Sequence, residues 1–260
     1  MIRVANYGGG TNSTAMLIEA TRRGLRLDLI VFADTGSERP ETYQYLDTFN
    51  RWLALHGQPQ ITRTRWIRRD GSFLPLHEWC EKHETLPSKA FGMAGCTSKW
   101  KQQPADKTVR LAPMVQAEHA AGRPVERWIG YDADEPHRAE RMAARNPDPH
   151  LWTWRAPLIE WDMGREECRE VIAGAGLCAP GKSACLLCPS MRQHEIDALG
   201  ADHPELLRRA LDIEAAAKID RSKVRGLGRS LNWAEYLAQP RMFAHVPVPE
   251  LACGCGDGEL

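Results

Sequence analysis

Ile2-Arg3-Val4-Ala5-Asn6-Tyr7-Gly8-Gly9-Gly10-Thr11-Asn12-Ser13 opens the chain with a short β-rich run, three consecutive glycines and a Thr-Asn-Ser. Over residues 14–23, apolar side chains fall at Ala15, Met16, Leu17, Ile18 and Ala20 before Gly24, a pattern that predicts a helix and its stop. A strand turning through glycine into a helix brings unencumbered backbone N–H groups to a helix N-terminus, where the partial positive charge favours an anion. Gly8, Gly9 and Gly10 would let a phosphate approach the backbone, and the Thr11 and Ser13 hydroxyls with the Asn12 amide would add hydrogen bonds and cap the helix. A plain glycine-rich turn is the competing reading. The loop lacks the lysine of Gly-x-x-x-x-Gly-Lys-Ser/Thr, and Ser13 stands where the dinucleotide fingerprint has its third glycine.

Outward from this bend, residues 27–33 form a nearly continuous apolar run, as in a strand buried on both faces, and end at Asp34-Thr35-Gly36. Residues 41–56 read as a helix and 60–67 as a third strand, giving β-α-β-α-β. Helical patterns over 76–121 are broken by Pro87, Gly92, Gly95 and Pro104; a strand follows at 127–131, a helix at 136–145, an extended run at 152–157 and a helix at 164–175. A Cys-rich loop and further helices occupy 181–233, and the tail after Pro240 is irregular. The expected architecture is α/β: a Rossmann-like parallel sheet with helices on both faces over residues 1–175, and a Cys-containing helical portion over 176–260 packed on it.

The 260 residues, 43% hydrophobic and 26% charged, suffice for one substantial core with a small accessory unit. Thirty-four basic residues balance 34 acidic ones, which excludes a polyanion binder acting through overall charge. No signal-peptide layout opens the chain, and no apolar run approaches the ~18 residues of a membrane span. A cytoplasmic protein without a membrane partner is expected, in which the eight cysteines read as buried thiols, metal ligands or redox groups.

Gly8-Gly9-Gly10-Thr11-Asn12-Ser13 followed by Phe32-Ala33-Asp34-Thr35-Gly36, with Glu38, Pro40, Glu41 and Thr42, resembles the PP-loop superfamily of adenine-nucleotide α-hydrolases, in its phosphoadenosine phosphosulfate (PAPS) reductase-like branch. Cys96-Thr97-Ser98-Lys99-Trp100-Lys101, Ile129-Gly130-Tyr131-Asp132 with Glu135 and Arg138, and Pro157-Leu158-Ile159-Glu160-Trp161 extend the resemblance over roughly residues 1–192. It implies a HUP-type sheet binding ATP or PAPS through Tyr7, Gly8, Gly9, Gly10, Thr11, Asn12, Ser13, Asp34, Thr35, Gly36 and Gly130. Ser13, Lys99 and Arg138 would be the catalytic groups that stabilise phosphate charge, with Lys101 a further cation nearby. Gly8 and Asn12 replace the family's first serine and its aspartate, so Mg²⁺ would rest on substrate oxygens and another carboxylate, Asp34 being a candidate.

Cys185-Leu186-Leu187-Cys188-Pro189 is half a metal site by spacing. The resemblance brings Cys96 to the same region, and Cys178, Cys253 or Cys255 would complete a four-thiolate set for a 4Fe–4S cluster or for zinc; an unmetallated turn is the bland alternative. Cys80 and Cys168 read as buried apolar residues. The leading expectation is an ATP pyrophosphatase that adenylates an acceptor and lets sulfur displace AMP. The alternatives are a thiol-dependent PAPS or APS reductase using Cys253 or Cys255, and a nucleotide-binding module without turnover. Implied partners are the adenine nucleotide, a nucleic-acid acceptor (tRNA or DNA) and a sulfur donor or thioredoxin-like protein. Arg63, Arg65, Arg68 and Arg69 around Trp66, with Arg221, Lys223 and Arg225, would grip phosphates, unless they are ordinary solvated faces. Asp132, Asp134 and Glu135 read either as Mg²⁺ ligands or as an acidic loop capping the next helix.

Overall fold

The computed structural model describes residues 1–87, 95–144, 146, 148–181, 183–228 and 232–239. Five strands, β1 (Arg3–Tyr7), β2 (Leu29–Ala33), β3 (Ile61–Thr64), β4 (Val125–Ile129) and β5 (Trp152–Arg155), form one sheet in the order β3-β2-β1-β4-β5. Every pairing is parallel, with Ala5 opposite Ile30 on one side and Trp128 on the other. This is the expected Rossmann-like α/β fold.

Alternation along the strands builds two cores. Ala5, Tyr7, Ile30, Phe32 and Trp128 face α1 (Thr11–Arg22), α2 (Pro40–Leu55), α7 (Pro157–Glu160) and α8 (Arg165–Ala173), where Leu17, Phe49, Leu158 and Ile172 bury their side chains. Val4, Val31 and Val125 face the opposite way, onto Val109 of α4 (Gln103–Leu111) and Val115 of α5 (Pro113–Ala120). Cys168 is buried in the first of these cores.

A third core lies beside the sheet. It joins α3 (Leu76–Lys82) and a π-helical turn (Thr97–Gln102) to the Cys185–Cys188 turn and to α9 (Gln193–Asp202), α10 (Pro204–Ala216) and α11 (Trp233–Ala238). The second packing unit therefore draws Leu76, Cys80 and Trp100 from between β3 and β4, as well as residues after 183. At its centre the Glu214 carboxylate accepts the N–H groups of Leu227, Trp233 and Ala234 at 2.6, 3.1 and 3.1 Å, and so ties the last helices together.

Element boundaries moved for identifiable reasons. α1 starts at Thr11, not at 14, because Gly10 takes an extended N-cap conformation and confines the bend to the glycines. β3 stops at Thr64 because Arg65 turns onto Asp34 and Ile67 pairs antiparallel with Phe73. β4 runs two residues ahead of expectation and ends at Ile129, where Gly130 meets the α1 backbone. Between 136 and 145 the chain forms α6 (Pro136–Ala143). Among the described residues no helix is long and apolar enough to cross a membrane.

Candidate functional site

The strand order reverses at β1, whose neighbours are β2 on one side and β4 on the other. In open parallel sheets the crevice beyond the C-terminal ends at such a point is where ligands bind. The glycine bend after β1 and the Gly130–Asp132 segment after β4 meet there. A Cβ on Gly130 would stand 2.9 Å from both Cα and N of Ser13, so only glycine allows this approach. Gly9 has φ of 73°, and a Cβ there would meet Ser183 Oγ at 3.1 Å and the Phe32 ring at 3.3 Å.

Side chains fasten the bend. Ser13 Oγ accepts the Gly8 N–H at 3.2 Å and donates to the Gly10 carbonyl at 3.0 Å, and Thr14 Oγ1 donates to that carbonyl at 3.0 Å. Contrary to the capping expected of Thr11, Asn12 and Ser13, the N-cap is Gly10 and no side chain caps α1. The first-turn N–H groups of Thr11, Asn12 and Ser13, which have no intrahelical acceptor, are thereby left for a ligand. Tyr7 is scaffold: its ring stacks on Phe49, its hydroxyl bonds Thr14 Oγ1 at 3.0 Å, and burial pushes its phenol above the ordinary range.

Next to the bend lies a polar chain. Arg165, the first residue of α8, donates from Nη1 to Asn12 Oδ1 at 2.7 Å, and Asn12 Nδ2 donates to Asp132 Oδ2 at 2.6 Å. Asp132 is 3% exposed. Its carboxyl is held above the usual carboxylate range, first by burial and then by Glu135 and Asp134, against the opposing pull of Asn12 and Arg165. Arg165 had no signal in the sequence beyond its place near a helix start; it reaches Asn12 because α8 packs on α1.

The other expected cations and carboxylates are engaged. Asp34 accepts the Tyr43 hydroxyl and the Gly36 N–H, both at 2.8 Å, and Arg65 through Nε at 2.8 Å and Nη2 at 2.7 Å, so its oxygens leave no lone pair for a cation. Thr35 is fully buried and donates to Glu38 Oε1 at 3.0 Å, and a Cβ on Gly36, with φ of 68°, would strike Phe73 at 2.5 Å. These three residues brace the loop after β2. Arg138 donates to both Glu135 oxygens at 2.7 Å and lies over the Tyr131 ring at 4.3 Å. Lys99 directs its ammonium into three indoles, with Nζ 4.2, 4.4 and 4.5 Å from the ring centroids of Trp66, Trp79 and Trp100. Burial there lowers its pKa. Arg63 pairs with Asp47 at 2.5 Å and Arg68 lies 3.7 Å from Asp70, which neutralises much of the basic stretch and leaves Arg69 exposed without a carboxylate partner among the described residues.

The cysteine turn sits against this loop. Leu186 N–H donates to Ser37 O at 2.9 Å, and Glu38 bridges Cys185 in an antiparallel pair. Cys96, Cys185 and Cys188 are free thiols in one core. Burial raises Cys96 and drives Cys185 well above the ordinary thiol range; Lys101 opposes both shifts while its Nζ holds Glu38 Oε1 at 3.3 Å. Cys178 is in a disulfide. Cys253 and Cys255 lie outside the described residues. Three soft donors fit a thiophilic metal in kind, but among the described residues no three His, Cys, Asp or Glu side chains stand together as a ready ligand set.

No family model matches the chain, and no curated protein matches it. Among solved structures it is similar to the U34-tRNA thiolase NcsA from Methanococcus maripaludis with its 4Fe–4S cluster, at 16% identity and a TM-score of 0.41, over 84% of this chain and 73% of that one.

Proposed function

We propose that the chain is an ATP pyrophosphatase of the PAPS reductase-like kind that adenylates an oxygen on a nucleic acid or small molecule in preparation for sulfur transfer. One observation carries this reading: the first turn of α1, behind three glycines and without a side-chain cap, lies at the switch point of the sheet. The acceptor oxygen would attack the α-phosphorus, the bond to the leaving pyrophosphate would break, and sulfur would then displace AMP from the activated carbon. N–H groups of Thr11, Asn12 and Ser13 would hold the leaving pyrophosphate, and Arg165 would add positive charge beside them. Positioned donors of this kind are worth roughly 100- to 1,000-fold each in turnover.

Cys96, Cys185 and Cys188 would be the residues to hold a 4Fe–4S cluster or zinc, which would keep a sulfur carrier close to the bend that Ser183 contacts. With or without it, the Lys101 ammonium favours thiolate at Cys96 and Cys185.

The test pairs two assays on the anaerobically purified chain, with iron and zinc analysis. ATP with Mg²⁺, bulk tRNA or DNA fragments and sulfide as the sulfur source should yield pyrophosphate and AMP, whereas PAPS with thioredoxin should yield no sulfite. Sulfite without pyrophosphate would establish the reductase instead, and ATP binding without either product would leave a nucleotide-binding module.

A further inference from the structure

We propose that Asp132 is the protein's ligand for a divalent cation that arrives with the nucleotide phosphates, and that Asn12 presents it. This rests on the phosphate role proposed for the glycine bend. Asp132 is almost wholly buried, yet its Oδ1 has no hydrogen-bond partner. Its other oxygen is pinned by Asn12 Nδ2 at 2.6 Å, which holds the carboxylate against the first turn of α1. The Asn12 amide is itself oriented, because Arg165 occupies its Oδ1 at 2.7 Å.

A buried carboxylate with one bare oxygen would oppose a phosphate at this place. Two like unit charges about 4 Å apart repel by roughly 4 kcal/mol at the effective dielectric of a protein surface. Only a proton or a cation between them removes that conflict. Mg²⁺ commonly takes one or two carboxylates, substrate phosphates and water, not an all-protein cage. One unpartnered oxygen on a carboxylate that Asn12 ties to the first turn of α1 is therefore sufficient once it turns toward the phosphate, and the lack of a three-residue ligand set among the described residues does not oppose it. Asp34 cannot serve, since Tyr43, Gly36 and Arg65 take up its oxygens. Asn12 brings no charge; Asp132, 120 positions away, brings it.

The experiment uses the full chain with α,β-methylene-ATP, in Mn²⁺ and in EDTA, read by calorimetry and by the electron paramagnetic resonance of free Mn²⁺. The wild-type protein should bind the analogue more tightly with Mn²⁺. Asp132→Asn should lose roughly tenfold or more of that gain, with EDTA binding unchanged or tighter, and should unfold at no lower temperature. The exchange Asn12→Asp/Asp132→Asn, which returns the carboxylate to the same hydrogen-bonded pair, should recover most of the loss. Equal binding in both media, or an Asp132→Asn variant that keeps its Mn²⁺ dependence, would overturn the cation role and leave the nucleotide reading standing. An analogue bound in neither medium would overturn both.

Discussion

Gly130→Ala is expected to lower affinity for an adenine nucleotide by roughly 10- to 100-fold, since each ~1.4 kcal/mol lost from a displaced binding element is tenfold in affinity. The added methyl would stand 2.9 Å from Ser13 Cα and N and 3.1 Å from the Asn12 carbonyl carbon. Those are backbone atoms, so no rotamer change relieves the contact; either β4 or α1 must shift. Overpacking of this kind costs about 1–3 kcal/mol, which corresponds to a fall of roughly 3–10 °C in Tm for a chain of this size. Calorimetry with α,β-methylene-ATP and a thermal scan read both quantities. A variant that melts lower but binds normally would show that the junction of β4 and α1 is merely structural. Gly24→Ala is the control: its methyl would meet nothing within 4 Å, although its φ of 68° makes the substitution strained by itself.

Lys101→Met should have the second large effect. The Glu38 side chain is fully buried, and its Oε2 already has no partner. Removing the ammonium 3.3 Å from Oε1 strands the carboxylate. A stranded buried charge costs about 3–5 kcal/mol; because 40% of the Lys101 side chain is exposed to screening solvent, about 2 kcal/mol is expected. Denaturant unfolding of Lys101→Met, Glu38→Gln and the double variant checks this, and the double variant should be more stable than Lys101→Met alone. Additive losses would deny the coupling. The same change should slow alkylation of Cys96 at neutral pH, since Lys101 counteracts the burial that raises that thiol.

Much of the fold was legible because local pattern and tertiary role agree in it. The glycine run followed by apolar residues at helical spacing marked the β1–α1 turn, and the continuous apolar stretch into Asp34 marked a central strand. The capping chemistry misled, because Thr11 and Ser13 look like caps in sequence while Gly10 holds the N-cap position and Ser13 turns back onto its carbonyl. Longer-range geometry had no local signature. Arg165 reaches Asn12 across 153 positions through the packing of α8 on α1. Lys99 reads from sequence as a cation beside Cys96, and the sequence carries no sign that Trp66 and Trp79 come from other elements to enclose it with Trp100. Asp34 reads in sequence as a carboxylate at the end of a central strand, whereas in the fold Tyr43 and Arg65 occupy its oxygens.

A crystal of the chain grown with α,β-methylene-ATP and Mn²⁺ would show whether the glycine bend holds phosphate. The phosphates should lie on the N–H groups of Thr11, Asn12 and Ser13, between the Gly8–Gly10 bend and Gly130. Phosphates seated elsewhere, with that first turn still facing only protein and solvent, would contradict it.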